Sequence, residues 1–221
     1  MNGQNKIKAN LSLNKQDESI ASISALTAVG DLEHLKTQLN IGLDAGLTVN
    51  EIKEVLVQLY AYAGFPRSLS GINTFMVVIE ERKAKGIKDI YGKEASPVTD
   101  SVGKYERGRK TLETLTRIPQ VKPAPGFGEF CPRIDAFLKE HLFADIFDSD
   151  VLTYQQRELA TISALAAMQG VAPQLESHLA MGMNTGLTES QLKQVFALVG
   201  THIGKQQEDI AKNVLLKMTE N

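Results

Sequence analysis

The sequence predicts an all-α protein of 221 residues made of two related halves. Apolar residues recur at three- and four-residue spacing along most of the chain, as they do on one face of a helix. No alternating apolar stretch is long enough to predict a strand. A helical stretch at residues 14–48 returns, 139 to 140 residues later, at 153–188. These observations favour a helical bundle built from two tandem repeats.

The first half is predicted to hold four helices. Asn14 is a favourable N-cap residue for the first of them. Gly46 suits the left-handed residue that ends a helix, and Thr48 with Glu51 forms a capping box that begins the next one. Gly64, followed by Phe65 and Pro66, interrupts that helix. We expect an extended arm at 1–13 and helices at 14–29, 32–46, 48–63 and 66–85.

The second half begins after a divider at 86–133, which contains a polar helix at 100–117 and an irregular crossing rich in proline and glycine. Further helices are expected at 134–147, 153–168, 173–186 and 189–218, with a break at Gly204. His141 is expected to be a packing histidine. The predicted domains are 1–99, the arm and a degenerate first repeat, and 100–221, the second repeat, which carries the candidate site.

Composition excludes several classes of function. The chain has 24 basic and 26 acidic residues, and its net charge is −2, so no basic surface for nucleic acid or anionic membrane is expected. No apolar run approaches the ~18 residues that span a bilayer. The N-terminal sequence lacks the apolar core of a signal peptide, and we therefore expect a cytoplasmic protein. The single cysteine, Cys131, rules out an intrachain disulfide and a CxxC pair.

The two copies share their scaffold residues. Residues 21–28 match 160–167 at six of eight positions, and 42–48 match 182–188 at four of seven. Two copies of a multi-helix unit are expected to pack as a pseudo-twofold pair, because the pair buries faces that one copy could not bury alone.

The copies differ in residues that can carry chemistry. Glu158, Arg157 and His178 of the second copy align with Ser19, Glu18 and Gln38 of the first. The first copy instead has Tyr60, Tyr62 and Arg67. This complementary divergence predicts one composite site in each chain.

His178 is the candidate acid or base. It lies on one stripe with Leu175, Leu179 and Gly182, so it should face inward. Glu158 lies in the first turn of the preceding helix, and the short loop between the two helices could bring its carboxylate to the imidazole. Such a pair suits proton transfer. The alternative is a core histidine bonded to a structural carboxylate. The four histidines lack metal-binding spacing, so no metal is expected.

Other candidates allow two interpretations. Arg157 could bind a substrate carboxylate or form a salt bridge. Tyr60, Tyr62 and Arg67 could line the pocket. Alternatively, the two tyrosines could lie at the edge of the core and Arg67 could be a solvated charge. Cys131 is expected to be incidental.

Several segments together resemble the carboxymuconolactone decarboxylase family, part of the alkylhydroperoxidase-D-like superfamily. They are RELATISAL from Arg157, LESH ending at His178, MNTGLT ending at Thr188, LYAYAGFPR from Leu59 and KYERG from Lys104. The resemblance implies an all-α bundle in rings of six domains, hence a homotrimer, with a homohexamer as the alternative. It also implies decarboxylation of a lactone carboxylic acid without a cofactor. Peroxidase members use a CxxC pair, but Val171 and Gln174 occupy those positions here.

The leading prediction is therefore a cofactor-free decarboxylase or isomerase acting on a small lactone or keto carboxylic acid. His178 would donate or accept the proton, and Glu158 would orient its ring. One alternative is a thiol-dependent peroxidase that uses Cys131. The other is a non-catalytic, ring-forming protein that binds a ligand.

Overall fold

The computed structural model describes residues 12–220, whose regular structure is entirely helical. Among these residues no strand forms, so the all-α prediction is confirmed. Residues 1–11 of the predicted arm lie outside the described part. The helices are α1 (Lys15–Val29), α2 (Leu32–Asp44), α3 (Val49–Ala84), α4 (Lys104–Thr116), α5 (Phe127–Phe130), α6 (Pro132–Phe137), the π-helix π1 (Leu138–Ile146), α7 (Tyr154–Ala167), α8 (Ala172–Asn184), α9 (Glu189–His202) and α10 (Lys205–Thr219).

Side-chain caps begin the main helices where the sequence predicts them. The side chain of Asn14 accepts a hydrogen bond from the backbone N–H of Asp17 at 2.8 Å. Complete capping boxes begin α3, α7 and α9 at Thr48, Thr153 and Thr188. Each box satisfies backbone N–H groups that a helix start leaves without an internal partner.

The centre of the molecule is the packing of α1 against α7, which are equivalent helices of the two repeats. Residues 19–28 of α1 and 157–167 of α7 are buried without interruption. Helix α2 packs on α1 as α8 packs on α7, while α3 contacts α7 and α9 contacts α1. This reciprocal arrangement is the expected pseudo-twofold pair.

A glycine interrupts the last long helix of each repeat at equivalent positions. In α3, Gly64 has φ 81° and ψ 161°, and Pro66 follows it. In the second repeat, Gly204 has φ 151° and separates α9 from α10. Residues with a Cβ rarely adopt such positive φ angles, so glycine allows the chain to change direction there. The predicted breaks are confirmed.

The prediction of one α-helix at 134–147 is wrong. The structure has α6 followed by π1, and apolar spacing over so few turns cannot separate an α-helix from a π-helix. A buried cluster lies at this junction, where Lys139 donates to Asp135 at 2.6 Å and Tyr105 donates to the other carboxylate oxygen. The packing role for His141 is also wrong, because 47% of its side chain is exposed and it bonds to Asp145.

Close contact between α4 and π1 depends on Gly108. A Cβ at this position would lie 1.7 Å from the backbone carbonyl oxygen of Lys139. Alanine favours a helix over glycine by about 1 kcal/mol, but forcing the two helices apart costs roughly 1–3 kcal/mol or more. We expect Gly108→Ala to lower the midpoint of urea unfolding.

Gly103→Ala is the matched control, since a Cβ there meets nothing within 4 Å at the start of the same helix. It should change stability by less than about 1 kcal/mol. Equal unfolding midpoints for the two variants would contradict the close contact.

Candidate active site

The structure brings His178 and Glu158 together. Helix α8 carries the imidazole and α7 carries the carboxylate, and Nδ1 of His178 lies 2.8 Å from Oε2 of Glu158. Glu158 is fully buried and His178 is 6% exposed. The helical stripe turns His178 inward, and the short α7–α8 connection places the first turn of α7 beside it. The two groups are within hydrogen-bond distance, as general acid–base chemistry requires.

The hydrogen bond assigns the ring nitrogens of His178. An ionised carboxylate only accepts hydrogen bonds, so Nδ1 carries the proton that Glu158 binds. Nε2 has no hydrogen-bond partner among residues 12–220. The neutral ring therefore presents Nε2 as a base, and the protonated ring presents it as an acid.

Tyr62 reaches the pair from the other repeat. Its ring meets His178 edge to face, with ring centroids 5.3 Å apart and planes at 78°. Its hydroxyl and the second carboxylate oxygen of Glu158 are buried, and neither has a hydrogen-bond partner in the described chain. Buried polar atoms without partners are uncommon in folded proteins, and they point to a place where a ligand binds.

Burial raises the pKa of Tyr62 far above its ordinary value, and the Glu158 carboxylate raises it further. Thr161 and Arg157 oppose this shift. Thr161 lies near the phenol, but its hydroxyl already accepts from Gln58, and no hydrogen bond of ordinary geometry joins it to Tyr62. The phenol stays protonated at neutral pH and can donate one hydrogen bond.

Arg157 does not face an open site. Its guanidinium is fully buried and donates to Glu54 at 2.9 Å, to Gln58 at 2.9 Å and to the backbone oxygen of Ser149 at 2.7 Å. Burial lowers the pKa of Arg157, and Glu54 opposes that shift. The geometry therefore matches the salt-bridge interpretation: the guanidinium binds Glu54 and Gln58, which belong to the other repeat.

Tyr60 and Arg67 lie apart from the pair. The Tyr60 ring stacks on Phe65 at 4.4 Å and lies 5.4 Å from the ring of His141. The Arg67 guanidinium lies over Gly30, at the end of α1. Within residues 12–220 neither side chain has a hydrogen bond or ion pair to His178. Of the three predicted first-repeat residues, Tyr62 is the one that contacts the imidazole.

Sequence reasoning missed Gln58. This residue is fully buried, and its side-chain nitrogen donates to the Arg157 backbone oxygen and to Thr161, both at 2.8 Å. The spacing of Gln58, three residues after Val55 and four before Tyr62, was the sequence signal that its amide lies on the buried side of α3. Gln58 holds the first turns of α7 in place beside the candidate site.

Residues 12–220 contain no group of three or more His, Cys, Asp or Glu side chains that could hold a metal ion. Cys131 is an exposed free thiol at the start of α6. No helix in the same part of the chain is long and apolar enough to cross a membrane.

Fold and site together define a class: an all-α, two-repeat protein with a buried carboxylate–imidazole pair that an aromatic residue of the other repeat covers. The sequence profile of the carboxymuconolactone decarboxylase family matches residues 2–74 and 132–214, more than half of the chain. The chain belongs to the carboxymuconolactone decarboxylase family. None of the curated proteins compared with the chain matches it.

The salt bridge of Arg157 yields a stability prediction. Glu54→Gln removes the charged partner of a buried guanidinium, so we expect a loss of roughly 2–3 kcal/mol in urea unfolding. Lys193→Gln breaks the exposed Lys193–Glu189 pair, in which 59% and 48% of the side chains are exposed, and it should cost about 0–1 kcal/mol. Equal losses in both variants would show that Arg157 does not depend on Glu54.

Proposed function

We propose that this protein is a cofactor-free decarboxylase or isomerase acting on a small lactone or keto carboxylic acid. The observation that carries the proposal is the buried 2.8 Å contact between His178 Nδ1 and Glu158 Oε2. Membership of the carboxymuconolactone decarboxylase family supports the reaction class. The first repeat keeps the scaffold without these two side chains, so packing of the fold does not require them.

In the decarboxylation, the bond between the substrate carboxylate and its carbon skeleton breaks, and carbon dioxide leaves. The electron pair moves into the conjugated lactone or keto carbonyl and forms an enolate. Nε2 of protonated His178 then delivers its proton to carbon, which restores the carbonyl group. The ring takes a proton from water before the next cycle. In the isomerase version, neutral His178 removes the proton and returns it to another carbon.

Glu158 and Tyr62 have supporting roles in this proposal. Glu158 holds Nδ1 and stabilises the charged ring, so Nε2 points consistently in one direction. The protonated Tyr62 hydroxyl donates to the developing enolate oxygen. A donor fixed in a buried site stabilises such charge more than water does, because it does not reorganise during the reaction. Both side chains have an oxygen without a partner in the described chain.

Self-association into a homotrimer, expected from the family resemblance, stays a prediction. Exposed apolar side chains along the second half of α3 support a face that another copy covers. They are Phe65, Leu69, Met76 and Val77. The small lactone or carboxylic acid named above is likewise a proposed partner.

Replacing His178 tests the proton donor. His178→Gln keeps a polar side chain but cannot exchange a proton, so we expect kcat to fall on the order of 10²–10⁴-fold. Tyr62→Phe should lower it by about 10²–10³-fold through loss of the enolate donor. Turnover is measured as carbon dioxide release and ultraviolet absorbance change over a panel of lactone carboxylic and keto acids.

His34→Gln is the matched control, since His34 is 66% exposed and pairs with Asp31. Its turnover should equal that of the wild type. Unchanged turnover in His178→Gln would rule out the assigned proton donor. If the wild type and all variants left the whole panel unchanged, a binding protein would be the better description.

Peroxide consumption separates the thiol-dependent alternative. With dithiothreitol as reductant, we expect the wild type and Cys131→Ser to consume hydrogen peroxide at the same background rate, because Cys131 has no second cysteine in the chain. Turnover by the wild type that Cys131→Ser loses would favour the peroxidase instead.

A further inference from the structure

The repeat relation identifies a second place that corresponds to the His178 site. Ser19 takes the place of Glu158, and Gln38 takes that of His178. His202 takes the place of Tyr62, in the register that also aligns Gly204 with Gly64. Each repeat thus contributes to both places, and the residues that distinguish them are polar in both.

Ser19, Gln38 and His202 line one cavity of about 440 Å³. We call it the repeat-1 pocket; its wall also includes Ile41 and Leu198. The volume falls in the range of cavities that bind small molecules. Helices α1, α2 and α9 form this wall, whereas α7, α8 and α3 surround His178.

Two side chains of the pocket are free to bind. No hydrogen bond joins the Gln38 carboxamide or the His202 imidazole to another of residues 12–220, and both side chains are half-buried in the pocket wall. The hydroxyls of Ser19 and Ser22 instead donate to backbone oxygens of their own helix, at 3.0 Å and 2.9 Å. A carboxamide both donates and accepts, and so does a neutral imidazole through its two nitrogens.

The pocket has no uncompensated charge. Lys15 and Glu18, which also line it, pair with each other at 2.7 Å. Burial lowers the pKa of His202, and nearby His34 adds to that shift while Asp31 opposes it. The ring is therefore neutral at pH 7. An anion placed here would lose water without gaining a free cation, which disfavours charged ligands.

We propose that the repeat-1 pocket is a second, non-catalytic binding site for a small uncharged molecule with a ring carbonyl, of the lactone class. Gln38 and His202 hydrogen-bond its oxygens, and Ile41 and Leu198 contact its carbon skeleton. Ser19 replaces the carboxylate that orients the imidazole in the other site, so this pocket binds and does not transfer protons. The proposal is independent of turnover at His178.

Phthalide, a stable bicyclic lactone, is the probe, and its ring-opened anion 2-(hydroxymethyl)benzoate is the matched charged compound. The full chain is labelled with ¹³C,¹⁵N-histidine, and its four ring signals are assigned from histidine variants. Phthalide should shift the His202 signal in a saturable way, in the wild type and equally in His178→Ala. The anion should bind at least about tenfold more weakly.

Gln38→Leu and His202→Phe should each weaken phthalide binding by about three- to tenfold, as loss of one neutral hydrogen bond does. His34→Gln, outside the pocket wall, should bind like the wild type. Binding to Gln38→Leu is followed through His202, and binding to His202→Phe through a competition assay. A thermal unfolding scan checks that each variant is folded.

Three results would overturn the proposal. Phthalide could shift His178 and leave His202 unchanged up to its solubility limit. The anion could bind as tightly as the lactone, which would indicate a charged ligand. Wild-type affinity in both Gln38→Leu and His202→Phe would show that these side chains do not bind the probe.

Discussion

The packing of α1 against α7 is the constraint on which the rest of the structure depends. Each helix is buried along ten or more consecutive residues, so no side of it can carry an unpaired charge without cost. The longer helices of each repeat contact this central pair directly or through one neighbour, whereas the short helices α5 and α6 are connected to it through π1. Small residues such as Ala21, Ala25, Ala160 and Ala164 face the interior and let the helices approach closely.

Burial explains why the residues that differ between the two repeats change together with their contact partners. A polar group in the interior needs a partner, so Arg157 at the start of α7 comes together with Glu54 and Gln58 on α3. In the first repeat the equivalent of Arg157 is Glu18, which pairs with exposed Lys15 instead. A change at one position of a buried cluster therefore requires changes across the repeat boundary.

The same scaffold consequently supports two different polar environments. One contains a buried carboxylate and an imidazole covered by Tyr62. The other contains a hydroxyl, a carboxamide and a neutral imidazole around an open cavity. In the first, the carboxylate assigns the proton to one ring nitrogen. In the second, no carboxylate of residues 12–220 is hydrogen-bonded to the His202 ring, and this difference is the physical basis for proposing chemistry at one site and binding at the other.

The sequence alone determined the starts of α1, α3, α7 and α9, the glycine breaks, the repeat and the meeting of α7 with α8, because each rests on local spacing or on identities between the copies. The boundary between 99 and 100 stays a prediction. Tertiary structure decided which candidates contact one another: Tyr62 lies on His178, while Arg157 is turned into a salt bridge and Arg67 lies over Gly30. It also decided that α6 continues as a π-helix. The Tyr62–His178 and Arg157–Glu54 contacts join residues more than a hundred positions apart, and the others join separate helices of the same repeat. Helical periodicity describes the faces of one helix and does not encode such contacts.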